Sequence, residues 1–326
     1  MKIILNESTS PQFNLALEEY ALLNLKNDDV VILWRNDKSV IIGNNQNAYS
    51  EINLDFVEKA GISVVRRITG GGAVFHDLGN INFSFITDYK EGDFGDYKKL
   101  STPVVDYLKT LGIDAEVSGR NDILACDKKI SGNAQCVKNG RILHHGTLLY
   151  SADLSLLSGA LKPKNEKMQS KGIKSVKSRV GSIKEIGNLS LSADEFLKGL
   201  YTYFVEKNSA KAYSFSPNQI EEIKTLCEDK YNKWEYNFAL SPKCSINTSK
   251  RFDFGSVELC LNVENGKISE IFILGDFFGI KNINELERAL TRIKYQKKEL
   301  KAALSAFNLS DYISGITLEE LLNLII

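Results

Sequence analysis

The sequence lacks the features that indicate a metalloprotein or a disulfide-stabilised secreted domain. Its 326 residues include only 3 histidines and 5 cysteines, and no two cysteines have the C-x-x-C spacing of common zinc sites. An odd number of unpatterned thiols is typical of reduced cysteines in a cytosolic protein. We therefore expect a cytoplasmic chain with no disulfide framework, no zinc site and no histidine-rich metal site.

Long apolar runs and an excess of positive charge are also missing. The N-terminal run Ile3–Leu5 is far too short for a signal peptide. No segment approaches the roughly 20 apolar residues of a membrane span. Basic and acidic residues both number 41, so the net charge is zero, whereas dedicated nucleic-acid-binding proteins are usually basic. We therefore expect neither a membrane nor a nucleic acid as a partner.

The order of the predicted elements indicates the fold class. The chain is long enough for two domains, and strands mix with helices without a regular βαβ alternation. This pattern favours an α+β fold with a largely antiparallel or mixed sheet. A polar stretch around Pro242 predicts a boundary between a domain of residues 1–242 and a domain of residues 247–326.

Local signals predict several individual elements. The pair Ser10-Pro11 predicts the start of a helix, because a capping serine precedes proline at the first helical position. A second helix is expected from Ser101–Pro103 to Gly112. Asn265-Gly266 predicts a two-residue hairpin, and residues 283–307 predict one long helix.

The most informative stretch is residues 66–80, in which two adjacent arginines are followed, after Ile68 and Thr69, by three glycines. The preceding Ile62–Val65 is apolar and β-branched, which predicts a strand. Glycines let backbone N–H groups approach a ligand, and adjacent arginines suit phosphate or carboxylate oxygens. A flexible hairpin with solvated arginines is the alternative. The pattern is neither a Walker A loop nor a dinucleotide fingerprint, and it predicts a pocket for a phosphorylated small molecule.

Three further clusters carry candidate chemistry. Lys129 precedes a Ser-Gly turn, where its ammonium would face an anion, although a surface hairpin accounts for the same residues. His144 and His145 are adjacent on a predicted strand and therefore point to opposite faces. The basic segment Lys162–Lys184 is a solvated loop, a phosphate-covering lid or a nucleic-acid patch.

Together these segments resemble the lipoate–protein ligase A family nearly end to end. The matching motifs are residues 11–20, 33–35, 66–80, 119–122, 129–132, 144–149, 171–180 and 234–238. That family shares its fold with biotin protein ligases and is related to class II aminoacyl-tRNA synthetases. The resemblance implies a large mixed-sheet catalytic domain followed by a small α+β accessory domain.

The resemblance also implies a reaction in two steps. Lipoate and ATP, with Mg²⁺, give lipoyl-AMP and pyrophosphate, and the lipoyl group then passes to one lysine of an acceptor protein. The implied acceptors are the lipoyl domains of 2-oxoacid dehydrogenases and the glycine-cleavage H protein.

Site residues follow from the same resemblance. Lys129 is the expected catalytic residue, which holds the lipoate carboxylate against the α-phosphate without a covalent bond. The implied ATP and adenylate site consists of Arg67, Gly72, Ala73, Val74, Phe75, Asp122 and Lys129. The implied lipoate site consists of Trp34, Arg66, Gly71, Lys129 and His145, with Thr69 as a neighbour. Asp122 is the one candidate contact for Mg²⁺.

Three different functions remain open. The nearest is an ATP-independent octanoyl or lipoyl transferase of the same fold with a cysteine nucleophile, because Cys126 and Cys136 flank Lys129. By resemblance, such transferases often carry their cysteine after the segment matching His144–Leu149, where this chain has none before Cys227. The second is a non-catalytic module that binds lipoate or nucleic acid, and the third is a biotin ligase.

Overall fold

The centre of the molecule, over the residues that the structure describes, is an eight-stranded mixed sheet. The computed structural model describes residues 1–119, 121–153, 155–162, 179–207 and 209–326. In spatial order the strands are β11 (Lys211–Ala212), β1 (Lys2–Leu5), β2 (Val30–Trp34), β6 (Asn80–Asp88), β10 (Arg141–Leu149), β9 (Lys128–Lys138), β8 (Asp122–Ala125) and β7 (Ala115–Ser118). Strand β1 is parallel to β2 and β11, and the other neighbours are antiparallel. The predicted α+β class with a mixed sheet is confirmed.

Helices cover both faces of this sheet, which explains the continuous apolar sequence of β2. Val31 and Leu33 join a core cluster with helix α4 (Tyr97–Thr110), whereas Ile32 joins a cluster with helix α1 (Pro11–Asn24). Because successive strand residues face opposite sides, a strand buried on both faces needs apolar residues throughout.

The helix starts show where local signals suffice. Helix α1 begins as predicted, since the Ser10 hydroxyl accepts a hydrogen bond from the Phe13 amide. The prediction for α4 is wrong, because Asp96 caps the helix earlier and Pro103 lies inside it. Among the described residues, the other α-helices before the C-terminal unit are α2 (Ala48–Glu51), α3 (Leu54–Lys59), α5 (Ser155–Ala160), α6 (Ile183–Ile186), α7 (Ala193–Lys207), α8 (Pro217–Leu226) and α9 (Trp234–Phe238), and a π-helix over Cys227–Tyr231 follows α8. None of the helices that the structure describes is long and apolar enough to cross a membrane.

A second, small sheet holds the arginine–glycine motif. Its strands are β4 (Ser63–Arg66), β3 (Ser39–Ile42) and β5 (Val74–His76), with β3 in the middle. Strand β3 is parallel to β4 and antiparallel to β5. The chain therefore leaves β4 at the arginines, turns through the glycines and returns along β5.

The C-terminal unit is a three-stranded antiparallel sheet with helices packed on it. It comprises β12 (Ile246–Phe252), β13 (Gly255–Glu264), β14 (Lys267–Gly275), α10 (Ile283–Leu290), α11 (Lys297–Leu304) and α12 (Leu318–Ile325). The hairpin at Asn265-Gly266 is confirmed, because both residues have positive φ, at 51° and 72°. The single long helix predicted over residues 283–307 is wrong, since α10 and α11 are separate.

The expectation that the chain has no disulfide is also wrong. Cys244 and Cys260 form a disulfide, with their Cα atoms 5.3 Å apart. The pairing of β12 with β13 sets Ile246 opposite Leu261, and this register brings the two cysteines together. A separation of 16 residues fits no short cysteine motif, so only the strand pairing reveals the bond.

Candidate active site

A cavity of about 170 Å³ lies between the small sheet and strands β9 and β10 of the large sheet. The turn between β4 and β5 forms one wall. Most of the predicted site residues line this cavity, namely Trp34, Arg67, Gly71, Gly72, Ala73, Val74, Lys129 and His145. The fold therefore brings together residues that lie far apart in the sequence.

Three predicted site residues do not line the cavity. Arg66 is buried, and its guanidinium donates to backbone carbonyls of segments 43–46 and 236–237. Phe75 is buried in the apolar cluster of the small sheet. Asp122 borders the cavity through an ion pair with one of the lining residues. Arg66 and Phe75 thus support the turn from behind.

Arg67 fixes the shape of the glycine turn. Its Nε donates to Thr69 Oγ1 at 2.9 Å, and its Nη2 donates to the carbonyls of Gly70 at 2.7 Å and Gly72 at 2.9 Å. Nη1 donates to the Ile41 carbonyl at 3.1 Å. Burial lowers the pKa of Arg67 to about 10, so the guanidinium stays charged at neutral pH. These donors are therefore directed to the protein itself, and the charge of Arg67 lies next to the glycine turn.

Close contacts with the C-terminal unit explain why the turn consists of glycines. Gly71 has φ 91° and donates its N–H to the Phe277 carbonyl at 3.3 Å. A Cβ on Gly70 would lie 2.4 Å from the same carbonyl oxygen, and one on Gly71 would lie 2.9 Å from the Phe278 ring. At Gly72 the nearest atom would be 4.0 Å away. Of the three glycines, Gly72 leaves the most space for a ligand.

The Lys129 ammonium reaches the cavity that Gly71 and Gly72 line. Its Nζ lies 2.7 Å from Asp122 Oδ1, and the two side chains are 37% and 34% exposed. A Cβ at Gly132 would lie 3.0 Å from Nζ, so the ammonium packs closely over the bare backbone of this residue. Lys129 is therefore a partly exposed cation, held in place by one carboxylate.

The two adjacent histidines face opposite sides of the sheet, as predicted. His145 lines the cavity, with its Nε2 2.8 Å from Thr69 Oγ1 and its Nδ1 2.9 Å from Glu18 Oε1. His144 lies on the other face against Ser101, and burial lowers its pKa to about 3. Only His145 is therefore in reach of a ligand.

Three buried polar atoms in the cavity wall have no hydrogen-bond partner in the described part of the chain: His76 Nε2, Asn82 Nδ2 and Asn133 Oδ1. Burial lowers the pKa of His76 to about 3, so its ring is neutral. Asn36 donates to His76 Nδ1 at 3.0 Å, so Nε2 carries the ring hydrogen. Because buried polar atoms normally find a partner, these atoms are available to polar groups of a ligand or to water.

One part of the cavity wall is apolar. Leu15, Trp34, Ile41 and Val74 line it from α1, β2, β3 and β5. The Trp34 Nε1 donates to Ser84 Oγ at 3.0 Å, so the one polar atom of the ring is already satisfied. An apolar wall near cationic side chains suits a ligand with an apolar tail and an anionic end.

Comparisons with known proteins agree with this geometry. A family model for the lipoyl protein ligase A/B catalytic domain matches residues 10–205, and one for the bacterial lipoate protein ligase C-terminus matches residues 241–325. The lipoate-protein ligase LplJ of Bacillus subtilis is 42% identical over 319 residues, which are 97% of this chain and 96% of the relative. This chain belongs to the lipoate–protein ligase family. The resemblance predicted from the motifs is confirmed.

Solved structures support the same assignment to the lipoate–protein ligase family. The structure of Plasmodium falciparum LipL1 in complex with lipoate has a TM-score of 0.83 and 29% identity, and it covers 99% of this chain and 98% of that one. A lipoate-protein ligase A bound with ATP has a TM-score of 0.64 and 30% identity, and it covers 74% of this chain and 98% of that one. The predicted fold, a large mixed sheet with a small C-terminal unit, is confirmed.

The free cysteines do not fit the function of a thiol-dependent transferase. None of those that the structure describes lines the cavity of this ligase. Burial raises the pKa of the Cys136 thiol to about 12 and that of Cys227 to about 11. Cys126 is exposed in the tight turn between β8 and β9. A nucleophilic thiol needs a lowered pKa and a position close to the reacting atoms. The buried Cys136 and Cys227 have neither of these properties.

The basic segment proposed as a cover lies mostly outside the described residues, which omit 163–178. The described residues at its two ends are held by backbone hydrogen bonds, and one of these bonds reaches a site residue. The Lys162 amide donates to the Glu51 carbonyl at 2.8 Å, and the Gly181 amide donates to the Lys129 carbonyl at 2.9 Å. The role of the segment stays a prediction.

Several cavity residues were missed from the sequence. His76 and Asn82 belong to the motif strand and the strand that follows it, and their polarity within buried strands was the available signal. Phe278 comes from the C-terminal unit, and no local pattern connects it with the ligase cavity.

Proposed function

We propose that this chain is an ATP-dependent lipoate–protein ligase whose two steps take place in the cavity around Lys129. In the first step a carboxylate oxygen of lipoate attacks the α-phosphorus of ATP, so that lipoyl-AMP forms and pyrophosphate leaves. In the second step the amine of an acceptor lysine attacks the carbonyl carbon, an amide forms and AMP leaves. The observation that carries the proposal is the cavity shared by Lys129, Arg67 and the glycine turn.

Lys129 acts as an electrostatic catalyst in this proposal. Two anions must approach each other in the first step, and positioning with charge neutralisation is most of the task in such transfers. The Lys129 side chain is 37% exposed, so it remains accessible to both anions. It stabilises the negative charge that develops between the carboxylate and the α-phosphate.

Asp122 is the proposed protein contact of Mg²⁺. In nucleotide sites Mg²⁺ usually takes one or two carboxylates and fills the remaining positions with phosphate oxygens and water. Within the described residues no cluster of three or more metal-ligating side chains occurs, and the one carboxylate beside Lys129 fits this sparse set. Bound there, the ion would neutralise phosphate charge.

The two substrates divide the cavity between them. We assign ATP and the adenylate to Arg67, Gly72, Ala73, Val74, Phe75, Asp122 and Lys129. We assign lipoate to Trp34, Arg66, Gly71, Lys129 and His145. Arg66 and Phe75 lie outside the lining, so we propose that they support the turn. The apolar wall at Leu15 and Ile41 accommodates the dithiolane tail.

The donors without partners complete this assignment. His76 Nε2–H and the Asn82 amide have no acceptor within the described residues, and an acyl-adenylate is rich in acceptor oxygens. Leaving such buried donors unpaired costs about 1–3 kcal/mol each. We therefore propose that they bind oxygens of the substrate.

The acceptor, the domain roles and the location remain proposals as well. We propose a lipoyl domain of a 2-oxoacid dehydrogenase or a glycine-cleavage H protein as the acceptor, with residues 1–242 catalytic and 247–326 accessory. The use of ATP favours a cytoplasmic location, whereas the Cys244–Cys260 disulfide does not support it.

Mass spectrometry of an apo-lipoyl domain tests the proposal. Incubation with the protein, ATP, Mg²⁺ and lipoate should release pyrophosphate and add one lipoyl group to the domain. Lys129→Ala should do neither. Modification without ATP would instead favour the transferase, and its loss in a Cys126→Ser/Cys136→Ser variant would identify a thiol nucleophile.

A further inference from the structure

Glu18 is a buried carboxylate whose partner is a histidine, whereas its neighbour on α1 pairs with lysines. It lies on α1 next to Glu19, and the two side chains are 1% and 6% exposed. Glu19 pairs with Lys138 and Lys230. Within the described residues no lysine or arginine forms an ion pair with Glu18, which contacts His145 and a serine hydroxyl. Burying a carboxylate costs free energy of folding unless its hydrogen bonds compensate. The position of Glu18 therefore needs an explanation other than packing.

The first of two hydrogen-bond chains reaches Glu18 from strands β2 and β6 of the large sheet, and each donor in it can be identified. The Trp34 indole can only donate, and its Nε1–H goes to Ser84 Oγ at 3.0 Å. The Ser84 hydroxyl then donates to Glu18 Oε1 at 2.6 Å. One oxygen of the carboxylate is fixed by this short chain.

The second chain reaches Glu18 from the glycine turn. The Arg67 Nε–H can only donate, and it bonds to Thr69 Oγ1 at 2.9 Å. The Glu18 carboxylate can only accept, so His145 Nδ1–H donates to Glu18 Oε1 at 2.9 Å. In a neutral imidazole the other nitrogen, Nε2, then accepts from the Thr69 hydroxyl at 2.8 Å. Every donor in the chain then has an acceptor, and both nitrogens of His145 are used.

This arrangement connects the carboxylate with the shape of the turn. The guanidinium at the far end also holds the carbonyls of Gly70 and Gly72. We infer that Glu18 is a positioning residue for adenylation, which orients His145 and Thr69 and thereby holds Arg67 and the glycine turn in place for the nucleotide. The inference rests on the proposed function and extends it to a residue outside the substrate cavity.

The same geometry argues against a nucleophilic role for Thr69. Hydroxyl, imidazole and carboxylate are spaced as in a hydrolase triad, but Thr69 is 0% exposed. Its oxygen also accepts the Arg67 hydrogen bond. An acyl group on Thr69, detected by mass spectrometry after incubation with ATP and lipoate, would overturn the positioning role.

Glu18→Gln and Glu19→Gln form a matched pair for the test, since both remove one buried charge from adjacent positions of α1. Pyrophosphate release is measured against ATP and lipoate concentration, with Tm measured in parallel. Glu18→Gln should raise the KM for ATP by about tenfold, which corresponds to about 1.4 kcal/mol. Glu19→Gln should lower Tm and leave that KM unchanged. A wild-type KM in folded Glu18→Gln overturns the inference.

A second pair keeps the test informative if Glu18→Gln does not fold. Thr69→Val removes the hydroxyl at nearly constant volume, whereas Thr69→Ser retains it. The valine variant should show the raised KM for ATP and the serine variant a KM near that of the wild type, and equal KM values would overturn the inference. Wild-type protein that releases no pyrophosphate would overturn the proposed function itself.

Discussion

Replacing Lys129 by methionine should separate catalysis from stability. The substitution keeps most of the side-chain length and removes the ammonium. Loss of one preorganised donor to developing charge typically costs about 2.7–4 kcal/mol of transition-state stabilisation. We therefore expect the rate of pyrophosphate release to fall by about 100- to 1,000-fold.

Folding should hardly change in Lys129→Met. The ion pair with Asp122 has side chains 37% and 34% exposed, and exposed pairs of this kind contribute about 0–1 kcal/mol. For a chain of this size the corresponding shift in Tm is at most about 2–4 °C. Thermal unfolding and a pyrophosphate assay on the same preparation measure both quantities.

Lys138→Met is the matched control. Lys138 lies on the same strand, is also 37% exposed and pairs with Glu19 at 3.0 Å, but Glu19 is only 6% exposed. We expect the opposite result, with a larger loss of stability and an unchanged rate. If Lys129→Met released pyrophosphate at the wild-type rate, the electrostatic role of Lys129 would be refuted.

Three further perturbations have definite expected outcomes. Cys244→Ser should lower the free energy of unfolding by up to about 3 kcal/mol for a loop of this length. The rate of adenylation should stay unchanged. A Tm equal to that of the wild type would count against the Cys244–Cys260 disulfide. Gly43→Ala should abolish pyrophosphate release, because the new Cβ would lie 1.9 Å from the Gly71 carbonyl oxygen; an active variant would show that the turn tolerates displacement. The pKa of His144 is about 3 in the fold against 6.5 when unperturbed, so the unfolded chain binds more protons in that window and stability falls as pH drops below 6.5. At pH 5 this costs about 2 kcal/mol, and His144→Gln should flatten the dependence of Tm on pH.

Cap signals in the sequence predicted helix ends well where the cap is made by neighbouring residues. Ser10 accepts the hydrogen bond that the Ser10-Pro11 pair indicates. The predicted long helix over residues 283–307 failed because of contacts from elsewhere. Arg292 has φ 72°, and its N–H donates to the Ile268 carbonyl of β14 at 2.7 Å. Pairing with a distant strand overrides the local preference for helix.

In the site, too, residues that belong to a short motif could be predicted, whereas roles that depend on tertiary contacts could not. The arginine–glycine motif, Lys129 and His145 were visible because each carries its chemistry in a short segment. Glu18 was part of a family motif, but its role depends on a hydrogen bond to His145 across 127 residues. Phe278 reaches the cavity only because the C-terminal unit packs against the turn. Tertiary contacts of this kind leave no local signature.

The hydrogen bond from the Gly71 amide to the Phe277 carbonyl has a consequence for substrate affinity. That amide carries a single hydrogen, so a substrate oxygen that accepted it would compete with the carbonyl. Docking of this segment and capture of the substrate through Gly71 would then be competing equilibria, in which each weakens the other by the same factor. The C-terminal unit would thus lower the affinity of the turn for its substrate through a backbone contact with Gly71.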